Sequence, residues 1–76
     1  MMPLTQLQRG SRGKVTDMAS VSFMVRRRLS DLGVTEGSIV SVRKMLPFGG
    51  PCTIESNGQW IAIRRKEAQA VRVLAL

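Results

Sequence analysis

The chain has 76 residues, a formal net charge of +7, one cysteine and no histidine. That length allows one domain with a small core, the lone cysteine excludes an internal disulfide framework, and the missing histidine removes the commonest general base and a common metal ligand. A hydrophobic fraction of 43% is too high for disorder, yet no segment approaches the ~20 apolar residues of a spanning helix, and the opening MMPLTQLQRG lacks the basic n-region and apolar run of a signal peptide, so a cytoplasmic domain is expected.

Leu4 and Leu7 bracket a polar lead-in, and Gly10 and Gly13 mark turns. Lys14-Val15-Thr16-Asp17-Met18 alternates as a half-buried strand should. Ser20 or Ser22 can cap the next element, because a serine oxygen accepts from the free amides of a first helical turn. Val21, Val25, Leu29 and Leu32 then fall on one helical face, leaving Arg26, Arg27 and Ser30 pointing outward. Gly33 follows as a left-handed cap, and Glu36-Gly37 makes a second turn.

After Gly33 the chain reads as β-structure. Residues 38–46 form a strand with Val40 and Val42 on one face and Arg43 on the other. Leu46-Pro47-Phe48-Gly49-Gly50-Pro51 forces an irregular, exposed loop. Asn57-Gly58 supplies a two-residue hairpin turn whose twist matches antiparallel strands. Its register pairs Ser56 with Gln59, Ile54 with Ile61 and Cys52 with Ile63, so Cys52, Ile54, Ile61 and Ile63 face inward. Thr53, Glu55, Trp60 and Ala62 share the other face. Residues 66–70 make one helical turn at most, and Val71 and Val73 belong to a last strand. The order predicts a mainly β fold: a small five-stranded barrel, with one α-helix inserted after the first strand, that curls to protect its edges. There are no repeats and no linker, so one domain covers residues 1–76.

The residues offer little catalytic chemistry. Asp17, Asp31, Glu36, Glu55 and Glu67 are scattered with no pair at helical spacing, Cys52 lacks a partner base, and Met18, Met24 and Met45 read as core fillers rather than soft-metal ligands. Gly10-Ser11-Arg12-Gly13-Lys14 has the wrong spacing for a phosphate loop, and Val15 stands where such a loop needs a hydroxyl. No enzyme activity, metal site or cofactor is expected. The basic clusters Arg26-Arg27-Arg28, Arg43-Lys44 and Arg64-Arg65-Lys66 suit an acidic protein, an anionic membrane face or nucleic acid. Phe48, flanked by prolines and Gly49 and Gly50, either anchors a contact or folds back to plug the barrel.

Four ordered pieces carry a family resemblance. They are Pro3-Leu4-x-x-Leu7-x-x-Gly10-x-x-Gly13-x-Val15; Arg28-Leu29-x-x-Leu32-Gly33-x-x-x-Gly37; Pro47-Phe48-Gly49-Gly50-Pro51; and Ile63-Arg64-Arg65-x-Glu67-Ala68-x-x-Val71-x-Val73. Together they resemble the FeoA family, small cytosolic components of bacterial ferrous iron transport, across roughly residues 3–73. The resemblance implies an SH3-like barrel with a helix after the first strand. It also implies a partner, the cytosolic part of a FeoB-like membrane iron transporter, which would hold the chain at the inner face of the plasma membrane. Two positions depart from the family pattern: Phe48-Gly49-Gly50 replaces a common Leu-Gly-Asp, and Ser30 replaces a leucine. The helix face (Arg26, Arg27, Ser30) and the loop (Phe48, Gly49, Gly50) are the expected contact residues; Gly33, Gly37, Ile54, Asn57, Gly58 and Ile61 are expected to be structural. Self-association is a second expected mode of partnership. The alternatives are a small basic nucleic-acid-binding barrel, for which stacking aromatics are scarce and no specific target is expected, and a metal-sensing domain like the one that ends iron-dependent repressors.

Overall fold

Asn57 and Gly58 hold positive φ values of 54° and 77°, the left-handed pair of a type I′ turn. They join β4 (Cys52–Ser56) to β5 (Gln59–Ile63), with Ile54 opposite Ile61 and Cys52 opposite Ile63. All four side chains are buried, as the register requires. The computed structural model describes residues 1–76. In chain order its other elements are β1 (Met2–Pro3), a 3-10 turn (Leu4–Gln6), β2 (Arg12–Asp17), α1 (Phe23–Asp31), β3 (Ile39–Met45), α2 (Arg65–Ala70) and β6 (Arg72–Ala75).

The small SH3-like fold is present, and its details differ from expectation in three ways. The sheet has six antiparallel strands in the order β1-β6-β2-β3-β4-β5, and β1 and β5 are free edges rather than the seam of a closed barrel. The extra strand is Met2–Pro3, which pairs with β6 where Met2 meets Val73. Two residues, one of them proline, show no alternation, so only the burial of Leu4 and its amide bond to the Val71 carbonyl (2.9 Å) bring them to the sheet. Secondly, α2 runs six residues rather than a single turn. Thirdly, Val21 is buried but lies ahead of α1, which begins at Phe23 with Ser22 as its cap; Ser22 Oγ accepts from the Val25 amide.

Two side-chain hydrogen bonds link the free edge strand β5 to α1 and its C-cap. Arg28 donates to the Ala62 carbonyl at 3.3 Å, and Gln59 Nε2 donates to the Leu32 carbonyl at 2.8 Å. The opposite edge is only two residues long, a second way of blunting unpaired backbone groups.

The helix end follows from Gly33. Its φ of +86° is open to glycine without the Cβ clash. The Gly33 amide bonds Ser30 O and the Val34 amide bonds Leu29 O at 2.8 Å, a Schellman cap that buries Val34 and Leu29. Gly37, at φ +94°, then aims its amide at the Val15 carbonyl (2.7 Å), tying the second turn to β2.

A bulge at Arg43 shapes the far end of β3. Val42 pairs with Ile54 but Lys44 pairs with Thr53, so Arg43 is the extra residue. The inserted residue shifts the inward phase from Val40 and Val42 to Met45, which lies opposite Cys52. The core is built from Leu4, Val15, Leu29, Val40, Val42, Cys52, Ile54, Val73 and their buried neighbours, with no aromatic residue among them.

Candidate functional site

Two exposed surfaces carry the residues singled out from the sequence. The first is the β3–β4 loop. Lys44 and Met45 pair with Thr53 and Cys52, so the strands deliver both ends of the loop to one place. The Leu46 amide donates to Pro51 O at 3.3 Å, and the Gly50 amide donates to Pro47 O at 3.2 Å. Phe48 and Gly49 occupy the corner with φ of 58° and 78°, which makes a type I′ turn with an aromatic residue at its first left-handed position. Such a φ is a steric outlier for a bulky side chain and costs about 1–2 kcal/mol. Gly50 is required for another reason. A Cβ there would lie 2.6 Å from the Leu46 Cβ, so a larger residue does not fit this conformation unless Leu46 moves. A guanidinium N–H of Arg65 donates to the Leu46 carbonyl, tying the loop to the start of α2.

Phe48 is 103% exposed. The alternative in which it folds back as a core plug is therefore excluded. Leu46, Pro47 and Pro51 are also exposed, giving the tip an apolar surface.

The second surface is a groove along α1. It is lined by Met18, Phe23, Arg26, Arg27, Ser30 and the Val34–Glu36 turn, and encloses about 460 Å³. It runs on the side of the helix away from Arg28, which is engaged with β5. Met18 arrives from the end of β2, and Val34 from the Schellman turn. Glu36 accepts from the Met18 amide at 3.4 Å, closing the groove's end. The helix brings Arg26, Arg27 and Ser30 together there, whereas no residue of the Phe48 loop lines the groove. The expected contact residues therefore form two surfaces, not one. Sequence reasoning missed the groove walls, because Met18 and Val34 come from outside the helix. Phe23 alone left a trace: it is an aromatic residue on the polar side of the predicted helix, and it is 66% exposed.

The electrostatics are mostly unopposed. Arg43 and Glu55 form the one ion pair, 2.5 Å between Nη2 and Oε1, at the surface. Arg64 and Lys66 are exposed on either side of Arg65. Cys52 is fully buried, and desolvation pushes its thiol pKa above the ordinary value, with the nearby Arg65 charge pulling it back in part. Burial and a raised pKa make this thiol a poor nucleophile. No three His, Cys, Asp or Glu side chains converge, and no helix is long and apolar enough to cross a membrane.

A family model described as the FeoA domain matches residues 2–75. The solution structure of the FeoA protein from Chlorobium tepidum is similar with a TM-score of 0.90 and 37% identity, over 99% of this chain and 70% of that one. The crystal structure of an iron uptake regulatory protein (FeoA) is similar at 0.81 and 29% identity, covering 99% of this chain and 96% of that one. A manganese-dependent transcriptional repressor shares the fold at 0.83 with 20% identity, across 97% of this chain but only 41% of its own length. A comparison with curated proteins returns no match. Fold, motif order and a match over nearly every residue agree, and the chain belongs to the FeoA domain family, which is related to iron uptake.

Proposed function

We propose that this protein is a non-catalytic accessory of ferrous iron uptake, working in the cytoplasm by docking on the cytosolic part of a FeoB-like membrane transporter and modulating it. The match to the FeoA domain over residues 2–75 carries this reading. The α1 groove supports it as the docking face. Arg26, Arg27 and Ser30 are exposed and play no part in the core, and the groove's apolar floor can take a side chain of the partner. Two unpaired arginines at its rim favour an acidic partner surface and speed encounter more than they lengthen residence.

The test is binding kinetics on an immobilised cytosolic part of the transporter. Association should occur at physiological salt and slow with added salt. Absence of binding at low and physiological salt overturns the proposal. The same assay with duplex DNA separates the rival reading. The net charge of +7 supports only weak, sequence-indifferent association of roughly 10⁻⁴–10⁻⁶ M, falling with salt at a log–log slope of about −0.9 per phosphate contact. Nanomolar, sequence-selective binding would replace the transport reading with a nucleic-acid one.

A further inference from the structure

We propose that the Phe48 loop is a bilayer-contact device: its apolar tip enters the interface of an anionic membrane while the surrounding cations hold lipid headgroups. Membrane contact would then be direct, not only through a partner protein, and the α1 groove would remain free for that partner.

Three independent observations converge on the loop. The first is exposure. Phe48 projects fully into solvent, with Leu46, Pro47 and Pro51 exposed beside it. An apolar tip on a protruding turn matches a soft apolar phase better than it matches a preformed pocket, since a wedge needs no shaped complement.

The second is strain. Phe48 sits at φ +58° although an L-residue with a bulky side chain is disfavoured there. The fold does not need the ring, because it touches no core residue. Held in this region by the Gly50–Pro47 hydrogen bond and the Arg65 tether, it stays outward. A strained, exposed aromatic residue that contributes nothing to packing points to a task outside the chain.

The third is charge. Lys44 lies just before the loop, and Arg64, Arg65 and Lys66 are brought to its base by the Cys52–Ile63 pair and the Arg65–Leu46 contact. Residues 44–51 and 64–66 contain no aspartate or glutamate. The nearest strand carboxylate, Glu55, is already paired with Arg43. Arg65 is engaged with the Leu46 carbonyl and Glu67 follows on α2, which leaves Lys44, Arg64 and Lys66 as the exposed cations at the base of the loop. An apolar tip beside them suits an anionic leaflet, where each cation near the surface adds to attraction. A second copy of this chain is disfavoured as occupant, since it would bring another +7 to the same place.

The experiment is co-sedimentation of the full chain with vesicles of phosphatidylcholine alone and of phosphatidylcholine mixed equally with phosphatidylglycerol. No transporter is present, so failure here leaves the docking proposal standing, and failure of docking leaves this one standing. The chain should bind the anionic vesicles and lose binding at high salt. Phe48→Ala should weaken that binding about 10-fold or more while Phe48→Trp retains it. Lys44→Glu with Lys66→Glu should also weaken it at least about 10-fold. Thermal melts of each variant confirm folding. No binding to anionic vesicles overturns the inference, as does equal binding by Phe48→Ala. A Phe48→Ala variant that binds vesicles normally but loses the transporter's cytosolic part assigns the loop to a protein interface instead.

Discussion

Replacing Phe48 by glycine should make the protein more stable. The ring is 103% exposed, so its removal costs no buried apolar area. The backbone at φ +58° is left-handed, a conformation that costs an L-residue about 1–2 kcal/mol and glycine almost nothing. Glycine also loosens the unfolded chain, which takes back about 0.4–1 kcal/mol. The difference leaves a net gain of about 0.8 kcal/mol, or roughly 3–6 °C in melting temperature for a domain of this size. Phe48→Ala keeps the strain and loses no packing, so it should stay within about 0.5 kcal/mol of the parent. Calorimetric melts of the three proteins under identical buffer decide the matter. A fall of several degrees for either variant would refute the reasoning, because it would mean that the ring packs against the fold in solution. Stabilisation of the glycine variant together with weaker vesicle binding would show that the loop gives up stability for contact.

Ile54→Ala and Ile61→Ala should each destabilise by about 2–5 kcal/mol, while Glu55→Ala, which removes only a surface ion pair, should cost under about 1 kcal/mol; similar losses at 54 and 55 in denaturant unfolding would contradict the hairpin register. Gly50→Ala should destabilise by about 1–3 kcal/mol, since its Cβ would need Leu46 to move, and an unchanged melt would show that the loop relaxes freely. Arg26→Ala combined with Arg27→Ala should slow association with the transporter's cytosolic part at low salt and matter little at high salt; an effect confined to dissociation would remove the arginines from encounter steering. Burial raises the Cys52 thiol pKa in the folded state. The folded form therefore keeps its proton after the unfolded form has lost it, so this contribution to stability is full below the unfolded thiol pKa and disappears as pH rises through the folded one. The stability gap between the parent and Cys52→Ala, measured by melts from about pH 7 to 10, should narrow as pH rises; a constant gap would mean that the thiol is not desolvated.

Local chemistry determined much of this molecule. Asn57-Gly58 dictates the hairpin because both residues tolerate positive φ, and a two-residue turn leaves one register for β4 and β5. Gly33 ends α1 for the same steric reason, and alternation places Val40, Val42 and Val73 in the core. These are interactions between residues close in the chain or of fixed period, so they can be read without knowing the fold. The order of family motifs also spans the chain and is visible in one dimension. Tertiary structure decided the rest. β1 exists only because Leu4 is buried and Met2 meets Val73 from the other end of the chain. The Arg43 bulge, which turns Met45 inward, arises from pairing with β4, and no residue in β3 announces it. The sheet stays open at β1 and β5, and the contacts that reach β5, Arg28 to the Ala62 carbonyl and Gln59 to the Leu32 carbonyl, join residues far apart in the chain. The groove required Met18, Phe23 and Val34 to meet from three elements, and the outward stance of Phe48 required a hydrogen-bonded turn and the Arg65 tether from α2. Composition marked the arginines and the loop as unusual; long-range packing separated them into two surfaces.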